Sequence, residues 1–263
     1  MSLNPIREIT DYLEGATNEY GQRIGMPVGD WIPALRPQRE PLEGRFSHLV
    51  PLEPKIHADE LYDSASLDGD QASWTYMHYG PFRSRTEFRT WMIGFCSGVD
   101  PFFYTIIDDT DGRAKGFASY QRINPEQGTI EVGHVYFGPH LRRTVAATEA
   151  MYLMMRQAFL MGYRRYEWKC DAQNVPSHQA ARRLGFTYEG TFRQGGVYKG
   201  RNRDISWYSI VDSEWEWLRR AFDEWLGHGN MDSTGKQMVP LGDCILRSSP
   251  IPIALNVSPA GLF

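Results

Sequence analysis

The stretch from residue 144 to 161 constrains the fold of this chain more than any other. Ala147, Met151, Met154, Ala158 and Met161 recur on one face at helical spacing, and Gly162 stands just past the last of them. An apolar stripe of that kind turns toward a core, and a glycine in that place is a helix stop. Strand patterns lie on either side. Thr129–Phe137 follows Gly128 and ends before Pro139, and Arg165–Asp171 comes after the helix.

Before this unit, residues 46–49 read as a short strand. Residues 58–65 and Arg85–Phe95 read as helices separated by the aromatic loop 74–82. Residues 102–107 and 115–121 read as a hairpin around the Asp108-to-Gly112 turn. After it, Asn174 caps a short helix that has Pro176 in its first turn and is stopped by Gly185. Residues 187–192 and 205–211 then close the core as antiparallel strands across a polar loop. One α/β domain over about residues 45–226, without an internal repeat, accounts for this order.

Both ends read as extensions. Residues 1–44 carry Pro5, Pro27, Pro33, Pro37 and Pro41 among Gly15, Gly21, Gly25 and Gly29, too much punctuation for long regular elements. Only residues 5–13, with Ile6, Ile9 and Leu13 on one face, suit a short helix. Residues 227–263 show little periodicity and end in Pro250, Pro252 and Pro259, as a surface-wrapping or disordered tail does.

Composition excludes several classes of function. With 32 acidic against 28 basic residues the net charge is −4, which speaks against a protein built to hold nucleic acid. No apolar run approaches the ~20 residues of a membrane span, and no leader pattern opens the chain, so the cytoplasm is the expected compartment. Cys96, Cys170 and Cys244 are far apart and odd in number, suggesting neither disulfides nor a zinc clip. The seven histidines form no H-E-x-x-H, and Asp109 to Gly112 is a turn rather than a calcium loop, so no metal is expected. The glycine motifs of nucleotide and dinucleotide sites and of serine hydrolases are missing as well.

The chemistry points to the loop from Gly138 to Arg143, between the strand Thr129–Phe137 and the helix opening at Thr144. A strand that feeds a helix N-terminus in this way aims several unbonded N–H groups and the positive helix end at one spot, a site for an anion. Arg142 and Arg143 add charge there, although two arginines before a helix also suit plain solvation. Further on come Asn174-x-x-Ser177 and Leu184-Gly185-Phe186. Together these segments resemble the GNAT superfamily of acyl-CoA N-acyltransferases, and within it the RimJ/RimL-like branch. Arg142-Arg143-Thr144-Val145-Ala146-Ala147 stands where the family has Q/R-x-x-G-x-G/A, Thr148-Glu149-Ala150 matches the branch's T-E-A, and Ile130-Glu131-Val132-Gly133 is similar to its central strand. The resemblance covers roughly residues 20–226.

It implies a mixed, mostly antiparallel sheet with splayed central strands flanked by helices. It also implies acetyl-CoA as cosubstrate, its pyrophosphate cradled by N–H groups of Arg142, Arg143, Thr144, Val145, Ala146 and Ala147, its pantetheine between the splayed strands Thr129–Phe137 and Arg165–Asp171, with Thr148, Asn174 and Ser177 also on the cofactor side. The activity implied is acetyl transfer to a primary amine, on a protein N-terminus or a small molecule, by direct attack in a ternary complex. Val145 departs from the family's glycine. A β-branched residue there either imposes a strictly helical conformation or loosens the cradle. Such a transfer needs a neutral amine, a polarised carbonyl, a stabilised oxyanion and a proton for the leaving thiolate.

For the oxyanion the resemblance points to backbone N–H groups at Val135, Tyr136 and Phe137. For the base, Glu131 comes first and His134 second, and a regular strand would turn them to opposite faces unless a bulge intervenes. Glu131 also suits a structural pair with a neighbouring arginine. Many relatives carry a tyrosine acid at the position of Ala181, so Ser177 becomes the candidate to serve the sulfur, although it also suits a first-turn hydroxyl satisfying the backbone. Trp74, Tyr76, Tyr79 and Phe82 are candidates to line the acceptor pocket, with core packing the expectation for at least half of the rings in that loop. The cationic loop 199–203 suits either an acidic acceptor or a solvated tip. A rival reading, motivated by Val145 and Ala181, is a catalytically weak acyl-CoA-binding or sensor module. The tail after Leu226 has three readings: a cover over the acceptor cleft, a contact in a homodimer, or no role.

Overall fold

The computed structural model describes residues 15–250 other than 68 and 70. The helix expected at residues 5–13 lies outside them, as do Pro252 and Pro259. Two compact units divide at Pro33. The described part of the first is a hairpin of β1 (Gly15–Thr17) and β2 (Arg23–Gly25), paired antiparallel.

The second unit begins with β3 (Leu42–Glu43), β4 (Ser47–Pro51), α1 (Pro54–Ser66) and α2 (Arg85–Phe95). The long strands β5 (Phe102–Asp108), β6 (Arg113–Asn124) and β7 (Thr129–Phe137) follow, then α3 (Val145–Leu160), β8 (Arg165–Asp171) and α4 (Val175–Arg183). The unit closes with β9 (Thr187–Tyr198), β10 (Arg201–Val211), α5 (Asp212–Leu226) and α6 (Leu241–Ser248). The strands form one eight-stranded sheet in the order β3-β4-β5-β6-β7-β8-β10-β9. Only β7 and β8 run parallel, so the sheet is mixed and mostly antiparallel.

Alternation along the strands fills both faces. On β5, Phe102, Tyr104 and Ile106 join a core formed with α3, α5 and α6, while Phe103 and Ile107 join a second core under α1 and α2. The expected hairpin over residues 187–192 and 205–211 is longer than its apolar pattern suggested, because exposed polar strands continue the pairing to Tyr198 and Arg201. The described part of the segment after Leu226, up to residue 250, is built into the fold. Leu241, Cys244 and Ile245 on α6 are buried in the larger core, because one face of that short helix is apolar at i, i+3 and i+4. Among the described residues no helix is long and apolar enough to cross a membrane.

Two local features fix helices α3 and α4. Glu149, 4% exposed, accepts hydrogen bonds from the amides of Arg45, Phe46 and Ser47 at 2.9, 2.6 and 2.8 Å. The acid of T-E-A therefore fastens α3 to the start of β4. At the end of α4, Gly185 takes φ +91°, and a Cβ there would lie 2.7 Å from a Leu218 methyl, so both the turn and the approach of α5 require glycine.

Candidate active site

The site begins where the two parallel strands part. β7 and β8 pair from Thr129 with Arg165 to Val132 with Trp168, and beyond that point each keeps only its other neighbour. A bulge sits at the same place. Gly133 pairs with Ser119 and Tyr136 with Phe117, so His134 and Val135 together oppose a single residue of β6, and His134 takes φ +51°. Ile130, Val132, Val135 and Phe137 pack toward α3, while Tyr136 joins the core under α1 and α2. The extra residue thus brings His134 to the same face of the sheet as Glu131, which alternates with Ile130 and Val132.

The two groups have different surroundings. Glu131 is 3% exposed. Its Oε2 lies 2.7 Å from Lys169 Nζ and 3.5 Å from Arg122 Nε, and its Oε1 accepts from Gln121 Nε2 at 2.7 Å. Burial raises its pKa, and Lys169, Gln121 and Arg122 pull in the opposite direction without cancelling the rise. Lys169 also reaches Glu167 at 3.1 Å and sits 3.4 Å over the Trp207 ring, and Glu167 in turn meets Arg165 at 2.7 Å. His134 stands among Tyr79, Phe95 and Phe103, with Nδ1 3.0 Å from the Tyr79 hydroxyl. Burial first, then the charges of His78 and Arg203, push its pKa down to about 4, so the imidazole is neutral at pH 7.

The loop before α3 separates its arginines. Arg142 turns back on the protein: Nε donates to the Phe137 carbonyl at 2.9 Å, and the guanidinium also reaches Ser73 Oγ. Arg143 takes φ +64° and lines a cavity of about 600 Å³. Thr144 is the N-cap of α3, its Oγ1 accepting from Ala147 N at 3.1 Å and donating to the Leu141 carbonyl at 2.7 Å. Val145 is the first helical residue, so the β-branched side chain sits in a helical conformation and the positive φ falls on Arg143 instead. Ala146 and Ala147 are buried, and the Thr148 hydroxyl donates to the Thr144 carbonyl and receives Arg183. Among the described residues the amides of Arg143, Val145 and Ala146 make no hydrogen bond. Unbonded amides at the N-terminus of a 16-residue helix, beside Arg143, suit the phosphates of a coenzyme A thioester.

On α4, the Asn174 side chain accepts from Ser177 N at 3.2 Å as the N-cap. Ser177 Oγ accepts from Trp168 Nε1 at 3.0 Å, so the indole occupies a lone pair of the hydroxyl, and the Cys170 thiol is a second hydrogen-bonding neighbour of the same group. Ala181 is fully buried.

In the aromatic loop the four rings divide. Trp74 is buried and stacks on Tyr136 at 4.5 Å, and Phe82 meets Trp74 and Phe88 edge-on, both within the core under α1 and α2. Tyr79 joins His134, and the Tyr76 hydroxyl donates to the Gln173 carbonyl at 3.0 Å, next to α4. The loop 199–203 closes onto this segment. Lys199 Nζ donates to the Trp74 carbonyl at 2.7 Å, and Arg203 meets His78.

Several residues of the site escaped the sequence reading: Lys169, Arg183, Trp207 and the wall formed by residues 235–242. The first had a signal, since Arg165, Glu167 and Lys169 alternate along β8 and mark a charged face. The last had none, because the chain separation between Arg143 and the wall hides their meeting.

Comparison with known proteins accords with this geometry. Residues 48–187 match the family described as acetyltransferase (GNAT) domain. A GCN5-related N-acetyltransferase from Brucella melitensis is 42% identical, superimposes with a TM-score of 0.81, and is covered over 99% of its length by 83% of this chain. An uncharacterised N-acetyltransferase of Bacillus licheniformis is 28% identical over 145 residues, 53% of this chain and 80% of that protein. An acetyltransferase of Salmonella typhimurium that modifies the N-terminal serine of a 50S ribosomal subunit protein shares the fold at 19% identity, with a TM-score of 0.54 over 65% of this chain and 99% of that one. With central strands that part after Val132 and Trp168 and a matched segment of this extent, the chain belongs to the GNAT acetyltransferase family.

Proposed function

We propose that the protein transfers the acetyl group of acetyl-CoA to a primary amine by direct attack, with both substrates bound at once. The observation that carries this reading is the parting of β7 and β8 after Val132 and Trp168, beside the unbonded amides of the first turn of α3. An extended pantetheine fits between separating strands, whose edges offer unpaired backbone groups. When bound, acetyl-CoA supplies an activated thioester carbonyl. The chain's part is to position it, to stabilise negative charge on its oxygen with the N–H groups of the bulge at Val135 to Phe137, and to manage two protons.

Glu131 and His134 both suit the amine proton. Glu131 is a buried carboxylate of raised pKa, but proton uptake there would weaken its pairs with Lys169 and Arg122. With Nδ1–H donated to the Tyr79 oxygen, His134 keeps Nε2 as an acceptor at neutral pH. A weak base suffices if the amine enters neutral, because attack itself makes the nitrogen strongly acidic. We assign the proton to His134, with Glu131 holding Lys169 and the neighbouring strand in place. Ser177 serves the sulfur, its hydroxyl oriented by Trp168.

A protein N-terminus and a small amine both suit the acceptor side, where Tyr76 and Tyr79 stand. The ribosomal-protein enzyme of the same fold supports the former as the first acceptor to try. The assay is release of free coenzyme A thiol with a panel of N-terminal peptides and small amines. Turnover on at least one amine is expected. His134→Asn should lower kcat about 100-fold, Glu131→Gln should lower it less, and the reverse order would return the base role to Glu131. Val145 and Ala181 favour a second reading, an acyl-CoA-binding module of little activity, and tight binding without turnover on any amine would select it.

A further inference from the structure

We propose that the segment after α5, residues 231–242, is part of the acyl-donor site, and that Lys236 contacts the phosphates of the nucleotide half of acetyl-CoA. This rests on the donor reading above and goes beyond the family match, which ends at residue 187. The segment walls the cavity of about 600 Å³ that opens at the N-terminus of α3, opposite Arg143 and Arg183. Three cations thus converge on one space, and no carboxylate lines it. Among the described residues Arg183 reaches only the neutral Thr148 hydroxyl, and Lys236 feels the charge of Asp232 in its own turn, which itself lies outside the cavity lining. Converging cations beside unbonded helix amides call for a ligand with several negative charges, and one phosphate would leave part of that charge unmatched.

The segment is held for this role. Asn230, 5% exposed, donates to the Trp225 and Val239 carbonyls at 3.1 and 3.2 Å and accepts from Val239 N at 2.8 Å. Met231 bridges Gln237, and between them Asp232 accepts from Thr234 N at 2.8 Å and Lys236 N at 3.0 Å. The carboxylate of Asp232 thereby builds the turn that presents Lys236, whose side chain is exposed and not needed for packing. Truncation of the segment would remove buried residues of α6, so point substitutions at Lys236 are the cleaner probe.

Calorimetric titration with acetyl-CoA tests the proposal without reference to activity. Lys236→Ala should raise the dissociation constant about three- to fivefold at low salt, in keeping with a solvent-exposed charge pair, and the effect should shrink at high salt. Lys236→Glu should raise it further, and Lys236→Arg should restore binding. An unchanged constant in Lys236→Glu, with wild-type binding intact, overturns the role of the segment and leaves the donor reading standing. A wild-type protein that fails to bind acetyl-CoA overturns both.

Discussion

Single residues carry opposite kinds of burden in this site. Glu149 is structural: its carboxylate gathers three backbone amides that have no other partner in the turn before β4. Glu149→Ala should therefore lower unfolding free energy by about 2 kcal/mol, because it strands the buried Ser47 amide and two partly buried ones, and chemical denaturation should show it as a lower midpoint at unchanged slope. His134 is held neutral by burial, with a pKa near 4 in the fold against 6.5 outside it. The unfolded chain then binds the proton first, so this stabilisation is complete above pH 6.5 and is lost as pH falls toward 4, by about 3 kcal/mol at most. His134→Asn, which tolerates the positive φ, should flatten that part of the stability profile; an unaltered slope would mean that another group titrates there. Neither role was legible in the sequence. Glu149 was visible only as a motif letter, because its partners lie about a hundred residues away. A pair between Glu131 and some neighbouring arginine was open as one reading, with Arg122 not identifiable, whereas Lys169 becomes its neighbour only through the parallel pairing of β7 and β8.

Elements were easier to read where periodicity and punctuation agree. Arg85–Phe95, Thr129–Phe137 and Arg165–Asp171 stand as expected, since a capping serine, a preceding glycine or a β-rich run fixes each end locally. The bulge in β7 was legible only as a requirement, because the sequence shows which faces must be reconciled and not where the extra residue sits. α5 was overlooked although Leu218, Ala221, Phe222 and Trp225 recur at helical spacing, and α6 was hidden among Gly and Pro. Ile245→Ala should lower stability by roughly 2–4 kcal/mol, as loss of a buried aliphatic chain does, whereas an indifferent result would place α6 outside the cooperative core. At the α3 turn, the paired arginines should separate in their effects. Arg143→Ala should weaken acetyl-CoA binding, and Arg142→Ala, which releases the Phe137 carbonyl and Ser73, should chiefly lower the melting temperature. Equal loss of affinity in both would contradict this division.

For the whole molecule, the sequence reached the fold family because several short segments stand in the right order, and order is preserved where contact is not visible. The cavity at α3 is different, since it joins the first turn of that helix to a loop some ninety residues later and exists only once α5 has packed. One ligand, acetyl-CoA, ties the parted strands, the α3 turn and the cavity together. Thermal unfolding with acetyl-CoA, and in parallel with ATP and NAD, tests this most directly, because a ligand at 100 times its dissociation constant stabilises by about 2.7 kcal/mol. A saturable rise in melting temperature with acetyl-CoA, absent with NAD, is the predicted result; no rise at millimolar acetyl-CoA would contradict the account.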